Sequence, residues 1–227
     1  FYAGIINTAT VLDLSGNGYH GTIQSASAPS WVENGFDGGA YDYNGLNSII
    51  DMPNDLGYTT QASAFAWFKN NGTSGGSHHV IMGGPQLEIS IPNSGGAIRA
   101  GVTTTNGRVV YNYGSNLNDG KWHHLGVTMD GTTKRAYIDG VLVGTETVTG
   151  TLISNYIYRR LGRWGNDSYY WAKGIIDEVR VYSKALTTAE VKDLYDAKSL
   201  KITLPVKSNV LATNGQIATC KVKGSNW

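Results

Sequence analysis

The stretch that decides the fold is residues 121–148, KWHHLGVTMDGTTKRAYIDGVLVGTETV. It contains three runs rich in apolar and β-branched residues, separated by the Asp-Gly pairs Asp130 with Gly131 and Asp139 with Gly140. Asp-Gly is favoured in tight hairpin turns, because both residues tolerate the positive φ angles that such turns require. The segment therefore predicts three consecutive antiparallel strands joined by two hairpins.

The same pattern extends over most of the chain. In residues 1–183, short apolar runs alternate with clusters of Gly, Asn, Asp and Ser, which predicts an antiparallel sandwich or jelly roll. Apolar residues make up 41% of the sequence and charged residues 15%, so a charge-driven disordered chain is excluded. A net charge of +1 gives no basic surface for nucleic acid. No apolar run approaches the length of a membrane span.

One helix is predicted after the last core strand. Thr187 and Glu190 have the spacing of a capping box, and Leu186 and Val191 have the spacing of a hydrophobic staple, so the helix begins here and runs to about residue 198.

We predict that residues 199–227 form a β-rich appendage after a domain that covers 1–198. Because a two-stranded hairpin alone is marginally stable in water, we expect either this domain's own sheet or a neighbouring protomer to cover it, and the completeness of the jelly roll at about residue 198 favours the neighbour.

Three segments together resemble one protein family. They are DLSGNGYHGT at 13–22, GKWHHL at 120–125 with YIDG at 137–140, and GIIDEVRVY at 174–182 followed by ALT at 185–187. In order and spacing they resemble the laminin G-like, concanavalin A-like lectin domains of bacterial and viral proteins. The resemblance implies an all-β, antiparallel two-sheet jelly roll over residues 1–198. It does not imply one function, because this fold hosts lectins, adhesins, enzymes and spacers.

A calcium ion is one expectation. On the last strand Asp177 shares one face with Ile175, Val179 and Val181, so it points into the core if that apolar face is the core. A buried carboxylate needs a cation or several donors. An early glycine-rich loop offers Asp13, Asn17 and backbone carbonyls, which are hard oxygen ligands that suit Ca²⁺. The family resemblance also implies a structural calcium ion near this loop and the closing strand. Alternatively, Asp13 and Asn17 cap turns, and Asp177 accepts hydrogen bonds from backbone amides.

The densest candidate binding surface is residues 159–171, RRLGRWGNDSYYW. Exposed Trp and Tyr rings stack on the C–H faces of sugars, whereas Asn, Asp and Arg bind their hydroxyl groups, and Arg also pairs with an acidic sugar. The alternative is that Tyr169 and Trp171 fold into the core beside the closing strand. We expect the ligand-binding residues to be Arg163, Trp164, Asn166, Asp167, Tyr169 and Tyr170.

Catalysis is not expected from the arrangement of the acidic residues. A glycosidase needs two carboxyl groups about 5 to 9.5 Å apart. Glu88 has no acidic neighbour at an even spacing, and Asp177 and Glu178 are adjacent, so they point to opposite faces of a strand.

Two functions from different classes therefore remain. One is a non-catalytic carbohydrate-binding or adhesive surface module with a structural calcium ion, whose partner is a glycan or glycoprotein surface. The other is a structural subunit or decoration protein of an extracellular filament, cell surface or virion, which assembles through residues 200–227. Both imply an extracellular, cell-surface or virion location.

Overall fold

The chain folds into two antiparallel β-sheets that pack face to face. The computed structural model describes residues 10–53, 60–84, 86–153, 159–165 and 170–199. The eight strands of the first sheet are, in spatial order, β1 (Thr10–Val11), β2 (Gly21–Ile23), β5 (Ile50–Met52), β14 (Arg159–Leu161), β7 (His78–Gly83), β8 (Leu87–Pro92), β9 (Ile98–Thr104) and β10 (Gly107–Tyr113).

The second sheet has seven strands and contains the two longest ones. In spatial order they are β13 (Val141–Thr147), β12 (Thr133–Ile138), β11 (Trp122–Met129), β6 (Ala62–Asn70), β15 (Lys173–Tyr182), β4 (Ala40–Asn44) and β3 (Ser30–Val32). A short 3₁₀ helix (Ser25–Ser27) and one α-helix, α1 (Thr188–Ser199), complete the described elements. The predicted two-sheet jelly-roll sandwich with a short C-terminal helix is confirmed.

The hairpins predicted around the two Asp-Gly pairs form β11, β12 and β13. Asp139 and Gly140 have φ angles of 50° and 77°, which are the positive angles that this turn requires. The Asp139 side chain also binds the neighbouring strand. Its Oδ1 accepts the N–H of His124 at 2.8 Å, and its Oδ2 lies 2.9 Å from Nδ1 of His123. The turn residue therefore both reverses the chain and fixes the register of the hairpin.

The main core lies between the two sheets. On β6, Ala64 and Phe68 belong to this core, whereas Phe65 belongs to a second cluster on the opposite face of the sheet, as expected from the alternation along a strand. The first sheet contributes large aliphatic side chains from its central strands. Each such side chain stabilises the fold by about 1.5–3 kcal/mol when it is fully buried. The fully buried ones on β7, β8 and β9 include Ile81, Leu87, Ile89, Ile91 and Ile98.

Helix α1 covers part of the outer face of the second sheet. Leu186 and Val191, the two residues of the predicted staple, pack with buried aromatic side chains of that sheet. The predicted capping box is also present. The N–H of Thr187 donates to Oε2 of Glu190 at 2.8 Å, and the N–H of Glu190 donates to Oγ1 of Thr187 at 3.2 Å. The helix therefore begins where its local sequence predicts.

Strand β15 contains a β-bulge that changes which residues face the main core. Its register against β6 shifts after Asp177, where Glu178 has a φ angle of 48°. Ile176 faces the main core before the bulge, and Val179 faces it afterwards. The sequence predicts that core-facing and outward-facing residues alternate without interruption along this strand. The bulge interrupts this alternation. Asp177 is buried, with 6% exposure, but on the outer side of the second sheet.

The predicted C-terminal appendage lies outside the described residues, apart from Ser199, the last residue of α1. Of the helices in the described ranges, none has the length and apolar character needed to cross a membrane.

Candidate functional site

A cluster of polar side chains lies on the outer face of the first sheet, across β7, β8, β9 and β10. On β8, Ile89 faces the main core, so Glu88 and Ser90 on either side of it face outward. The same alternation places Arg99 of β9 and Arg108 of β10 on this outer face. Because β8, β9 and β10 are neighbours in the sheet, these four side chains meet on one surface.

Glu88 is the centre of this cluster and is 3% exposed. Its Oε1 accepts hydrogen bonds from Oγ of Ser90 at 2.8 Å and from Nε of Arg99 at 3.2 Å. Its Oε2 accepts a hydrogen bond from Nη2 of Arg108. A buried carboxylate needs such partners, because it has lost its hydration. Two guanidinium groups thus share one carboxylate, and the three groups together carry a formal charge of +1.

Two glycines allow the close approaches on which the cluster depends. Gly101 is the register partner of Glu88, and a Cβ atom at position 101 would lie 2.8 Å from Oε2 of Glu88. Any larger residue there must displace the carboxylate. A Cβ atom on Gly83 would lie 2.1 Å from the carbonyl oxygen of Arg163, so the segment after β14 lies directly against β7.

Two aromatic residues that follow β14 cover the cluster. Cζ of Arg108 lies 4.2 Å from the ring centroid of Trp164, and the rings of His78 and Tyr170 meet edge to face with centroids 5.3 Å apart. The N–H of Trp164 donates to the carbonyl oxygen of Tyr170 at 3.3 Å, which holds the two residues together. We call the space between them, about 50 Å³, the Glu88 cavity. It is lined by His78, Val80, Glu88, Arg99, Arg108, Trp164 and Tyr170.

The electrostatic environment of the Glu88 cavity is positive. Burial lowers the pKa of His78, and the charges of Arg99 and Arg108 lower it further, whereas Glu88 acts in the opposite direction. His78 is therefore neutral at pH 7. The cavity combines two aromatic rings, a neutral imidazole and two guanidinium groups around one buried carboxylate.

The structure brings together two of the six residues that were expected to bind a ligand, Trp164 and Tyr170. Arg163 does not line the Glu88 cavity. Its Cζ lies 4.5 Å from the ring centroid of Trp171, its antiparallel bridge partner. Trp171 is buried, as the alternative interpretation held. The other three expected residues lie outside the described part of the chain: Asn166, Asp167 and Tyr169.

The remaining polar residues of the cavity were not predicted as a binding site. Their signal in the sequence is a charged residue within an otherwise apolar strand, as in LEISI at 87–91 and IRAGV at 98–102. Alternation predicts that Glu88 and Arg99 face outward if the apolar residues face the core. It does not predict that β8 and β9 are neighbours, which is what brings the two charges together.

The loop with two of the proposed calcium ligands forms a hydrogen-bonded turn. The carboxylate of Asp13 accepts hydrogen bonds from the N–H of Ser15 at 2.9 Å and from the N–H of Tyr19 at 2.9 Å. Its Oδ2 also accepts a hydrogen bond from the hydroxyl group of Ser15 at 2.8 Å. Nδ2 of Asn17 donates to Oγ of Ser15 at 2.9 Å. These contacts agree with the alternative in which Asp13 and Asn17 cap the turn.

The third proposed calcium ligand, Asp177, binds backbone amides of a different loop. Its Oδ2 accepts the N–H groups of Phe36 at 2.8 Å and Asp37 at 3.0 Å, and its Oδ1 accepts that of Glu178 at 2.7 Å. Burial raises the pKa of Asp177, although these amides act in the opposite direction. Within the described ranges, no hydrogen bond joins Asp177 to Asp13, and no three His, Cys, Asp or Glu side chains are grouped as a metal ion requires. The calcium ion stays a prediction.

A larger cavity, of about 390 Å³, lies beside the ends of β6 and β8. Its asparagine side chains form hydrogen bonds with one another, with other side chains or with the backbone. Nδ2 of Asn70 donates to Oδ1 of Asn118 at 2.7 Å, and Nδ2 of Asn118 donates to the carbonyl oxygen of Pro92 at 3.0 Å. We therefore regard this lining as structural, since its four asparagine side chains are already hydrogen-bonded. The described residues that line it are Asn70, Asn71, Gly72, Thr73, His79, Asn93, Asn118 and Gly120.

Several solved structures share this fold. The binding domain of Paraclostridial Mosquitocidal Protein 1 matches with a TM-score of 0.67 and 14% identity, over 85% of this chain and 50% of that chain. The binding domain of botulinum neurotoxin serotype G matches with a TM-score of 0.60 and 19% identity, over 84% and 49%. The chain thus spans about half the length of these two binding domains, and the likeness to them concerns the fold alone.

A third structure is more similar in sequence and matches over nearly its whole length. It is domain 4 of AbnA, a GH43 extracellular arabinanase from Geobacillus stearothermophilus, in complex with arabinotriose. The TM-score is 0.61 and the identity is 25%, over 83% of this chain and 97% of that chain.

None of the curated protein sequences matches this chain. The family described as the Concanavalin A-like lectin/glucanases superfamily matches residues 37–192, which is more than half of the chain. This segment contains β4 to β15 and the Glu88 cavity, and its two-sheet architecture agrees with the match. The chain therefore belongs to the concanavalin A-like lectin/glucanase superfamily.

Proposed function

We propose that this domain is a non-catalytic carbohydrate-binding module of a secreted or surface protein, and that it binds a glycan at the Glu88 cavity. The observation that carries the proposal is the convergence of Trp164 and Tyr170 with two arginines and a neutral histidine on one sheet face. Aromatic rings accept the C–H faces of a sugar, and the guanidinium and imidazole groups bind its hydroxyls.

The size of the cavity indicates how a glycan binds. Pockets that enclose a drug-sized ligand have volumes of about 300–1,000 Å³. At about 50 Å³, the Glu88 cavity accepts one substituent or the edge of one sugar ring. The rest of the glycan therefore lies across the outer surface of the first sheet, beside Trp164 and Tyr170.

A similar protein supports carbohydrate as the ligand class. Domain 4 of the arabinanase was solved in complex with arabinotriose, and this chain matches it over 97% of its length at 25% identity. The polar lining of the Glu88 cavity is compatible with the hydroxyl groups that any oligosaccharide presents.

The chemistry of Glu88 supports binding rather than hydrolysis. Both of its oxygens accept hydrogen bonds from cationic or hydroxyl donors, and it is the one carboxylate among the described residues that line the cavity. Hydrolysis of a glycosidic bond needs an acid and a second carboxylate on opposite sides of that bond. We therefore assign Glu88 the role of holding the two arginines.

The proposal is tested with the Trp164→Ala and Tyr170→Ala variants on a glycan array, followed by calorimetric titration of the glycans that bind. We expect each variant to lose at least about tenfold in affinity, which corresponds to about 1.4 kcal/mol. Tyr19→Ala is the matched control, because Tyr19 is a 38% exposed tyrosine in the separate turn after β1. Melting curves check that the variants remain folded.

A wild-type protein that binds no glycan on the array contradicts the carbohydrate-binding function. Equal affinities of the wild type and both variants for a bound glycan would instead show that the glycan binds elsewhere on the domain.

A further inference from the structure

The two arginines of the Glu88 cavity have more hydrogen-bond donors than the cavity has acceptors. A guanidinium group carries five N–H donors. Arg99 uses its Nε and Arg108 uses its Nη2 on Glu88. Both arginines line the cavity, and their side chains are 24% and 34% exposed, so a ligand in the cavity has access to them.

Glu88 cannot neutralise both guanidinium groups. Its Oε1 already accepts two hydrogen bonds, and its Oε2 accepts the one from Arg108. His78, the histidine of the described lining, is neutral at pH 7, because burial and the two arginines lower its pKa. Among the described residues that line the cavity, one positive charge is therefore left over.

The position of Arg108 makes this charge suitable for binding a ligand. Its Cζ lies 4.2 Å from the ring centroid of Trp164, and its Nη2 is held by Glu88. A guanidinium group fixed on two sides loses little conformational entropy when it binds an anion. Its planar donor pairs match the two oxygens of a carboxylate, and they also bind a sulfate.

We infer that the Glu88 cavity binds the anionic substituent of an acidic glycan, and that it prefers such a glycan to the corresponding neutral one. This inference rests on the proposed carbohydrate-binding function and names its ligand class. The anion accepts the remaining donors of Arg99 and Arg108, while the sugar ring contacts Tyr170 or Trp164. A carboxylate of a uronic acid and a sulfate ester share this chemistry.

The test compares oligosaccharides that differ only in charge. The probes are a panel of uronic-acid oligosaccharides, each beside its carboxyl-reduced neutral form, and a sulfated glycan without uronic acid beside its desulfated form. We expect the acidic member of a bound pair to bind at least about tenfold more tightly, as one charge-assisted hydrogen-bond pair implies. The pair that shows the difference identifies the anion as carboxylate or sulfate.

Variants then assign the preference to the arginines. We expect Arg99→Gln and Arg108→Gln each to lose about tenfold in affinity for the acidic member and less for the neutral member, because Gln still binds hydroxyl groups but carries no charge. Arg135→Gln is the matched control. Arg135 lies on β12 of the second sheet, binds Asp130 at 2.7 Å, and has a side-chain exposure of 31%, similar to that of Arg108.

The outcomes separate the inference from the function on which it rests. Equal or tighter binding of the neutral members overturns the acidic preference and leaves carbohydrate binding intact. An acidic preference that persists in both arginine variants assigns the anion to another site and also overturns the inference. Binding of no member, acidic or neutral, contradicts the proposed function itself.

Discussion

At the scale of single residues, His124 is a buried histidine whose protonation is coupled to folding. It is 2% exposed on the outer side of the second sheet, where its ring lies 5.2 Å from Trp67 and 6.0 Å from Tyr195, measured between centroids. Its Nδ1 is buried without a hydrogen-bond partner among the described residues. Burial lowers the pKa of His124 to about 4, because a charged imidazole in this place loses its hydration.

We predict that the domain loses stability as the pH falls from about 6.5 to about 4. In this range the unfolded chain binds a proton at His124 and the folded chain does not, so protonation favours unfolding. The loss from this histidine is on the order of 3 kcal/mol at the lower end of the range. The measurement is the melting temperature between pH 7.5 and pH 4.5, for the wild type and for His124→Gln.

The comparison with the variant isolates this histidine from others that also titrate. Burial likewise lowers the pKa of His79 to about 4, so protonation of His79 also destabilises the folded state. The hydrogen bond to Asp139 raises the pKa of His123, so protonation of His123 stabilises the folded state. Both remain in His124→Gln, so we expect a shallower decline in that variant. Parallel declines in the two proteins would contradict the prediction.

At the scale of elements, the sequence predicts those features whose causes are local. The Asp-Gly hairpins and the capping box depend on residues that are at most a few positions apart, and both hairpins and the capping box form. The two turns differ, since Asp139 and Gly140 both have positive φ angles, whereas in the first turn only Gly131 does. The bulge in β15 has a different origin. It changes the register against β6, a strand more than 100 positions earlier in the chain, so no pattern within β15 reveals it.

The candidate site is non-local in the same sense. Trp164 and Tyr170 are predictable as candidates because they lie in one short segment that is rich in aromatic residues. Glu88, Arg99 and Arg108 join them only because β8, β9 and β10 are neighbours and because the segment after β14 lies against β7. The sequence predicts which residue types face outward, but the sheet order decides which of them meet.

We predict that Thr187→Ala destabilises the domain by about 1 kcal/mol, the usual effect of losing a helix N-cap residue. The variant removes Oγ1, which accepts the N–H of Glu190 at 3.2 Å. The measurement is the free energy of unfolding of the wild type and of Thr187→Ala, determined by chemical denaturation. In Glu190→Gln the side chain keeps an oxygen that can accept the N–H of Thr187, so this control is expected to change stability less. An equal or larger loss in the control would contradict the role assigned to the cap.

At the scale of the whole molecule, the two outer faces of the sandwich are different. The outer face of the second sheet is covered, since α1 lies on it and Phe36 stacks on Trp67 with ring centroids 3.6 Å apart. The outer face of the first sheet carries charged side chains, including Arg160, which binds Asp51 at 2.5 Å, and those around Glu88. The covered outer face of the second sheet contributes to stability, so contact with a glycan is expected on the outer face of the first sheet.

The last prediction concerns residues 200–227. The described core residues lie between Val11 and Leu194, in two clusters that the sheets and α1 complete. A chain that ends at Ser199 therefore keeps every one of these contacts. We predict that it folds as a soluble monomer with a melting temperature within a few degrees of that of the full chain, and that it binds the same glycans.

We further predict that the full chain associates through residues 200–227, because an apolar hairpin needs to be covered and an unpaired strand edge recruits other chains. Light scattering after size-exclusion chromatography compares the full chain with the truncated one over a range of concentrations. A higher mass for the full chain alone agrees with assembly through this segment. A full chain that is monomeric at high concentration, together with a truncated chain whose melting temperature is much lower, would show that the segment packs on its own domain. The predicted assembly role would then be wrong.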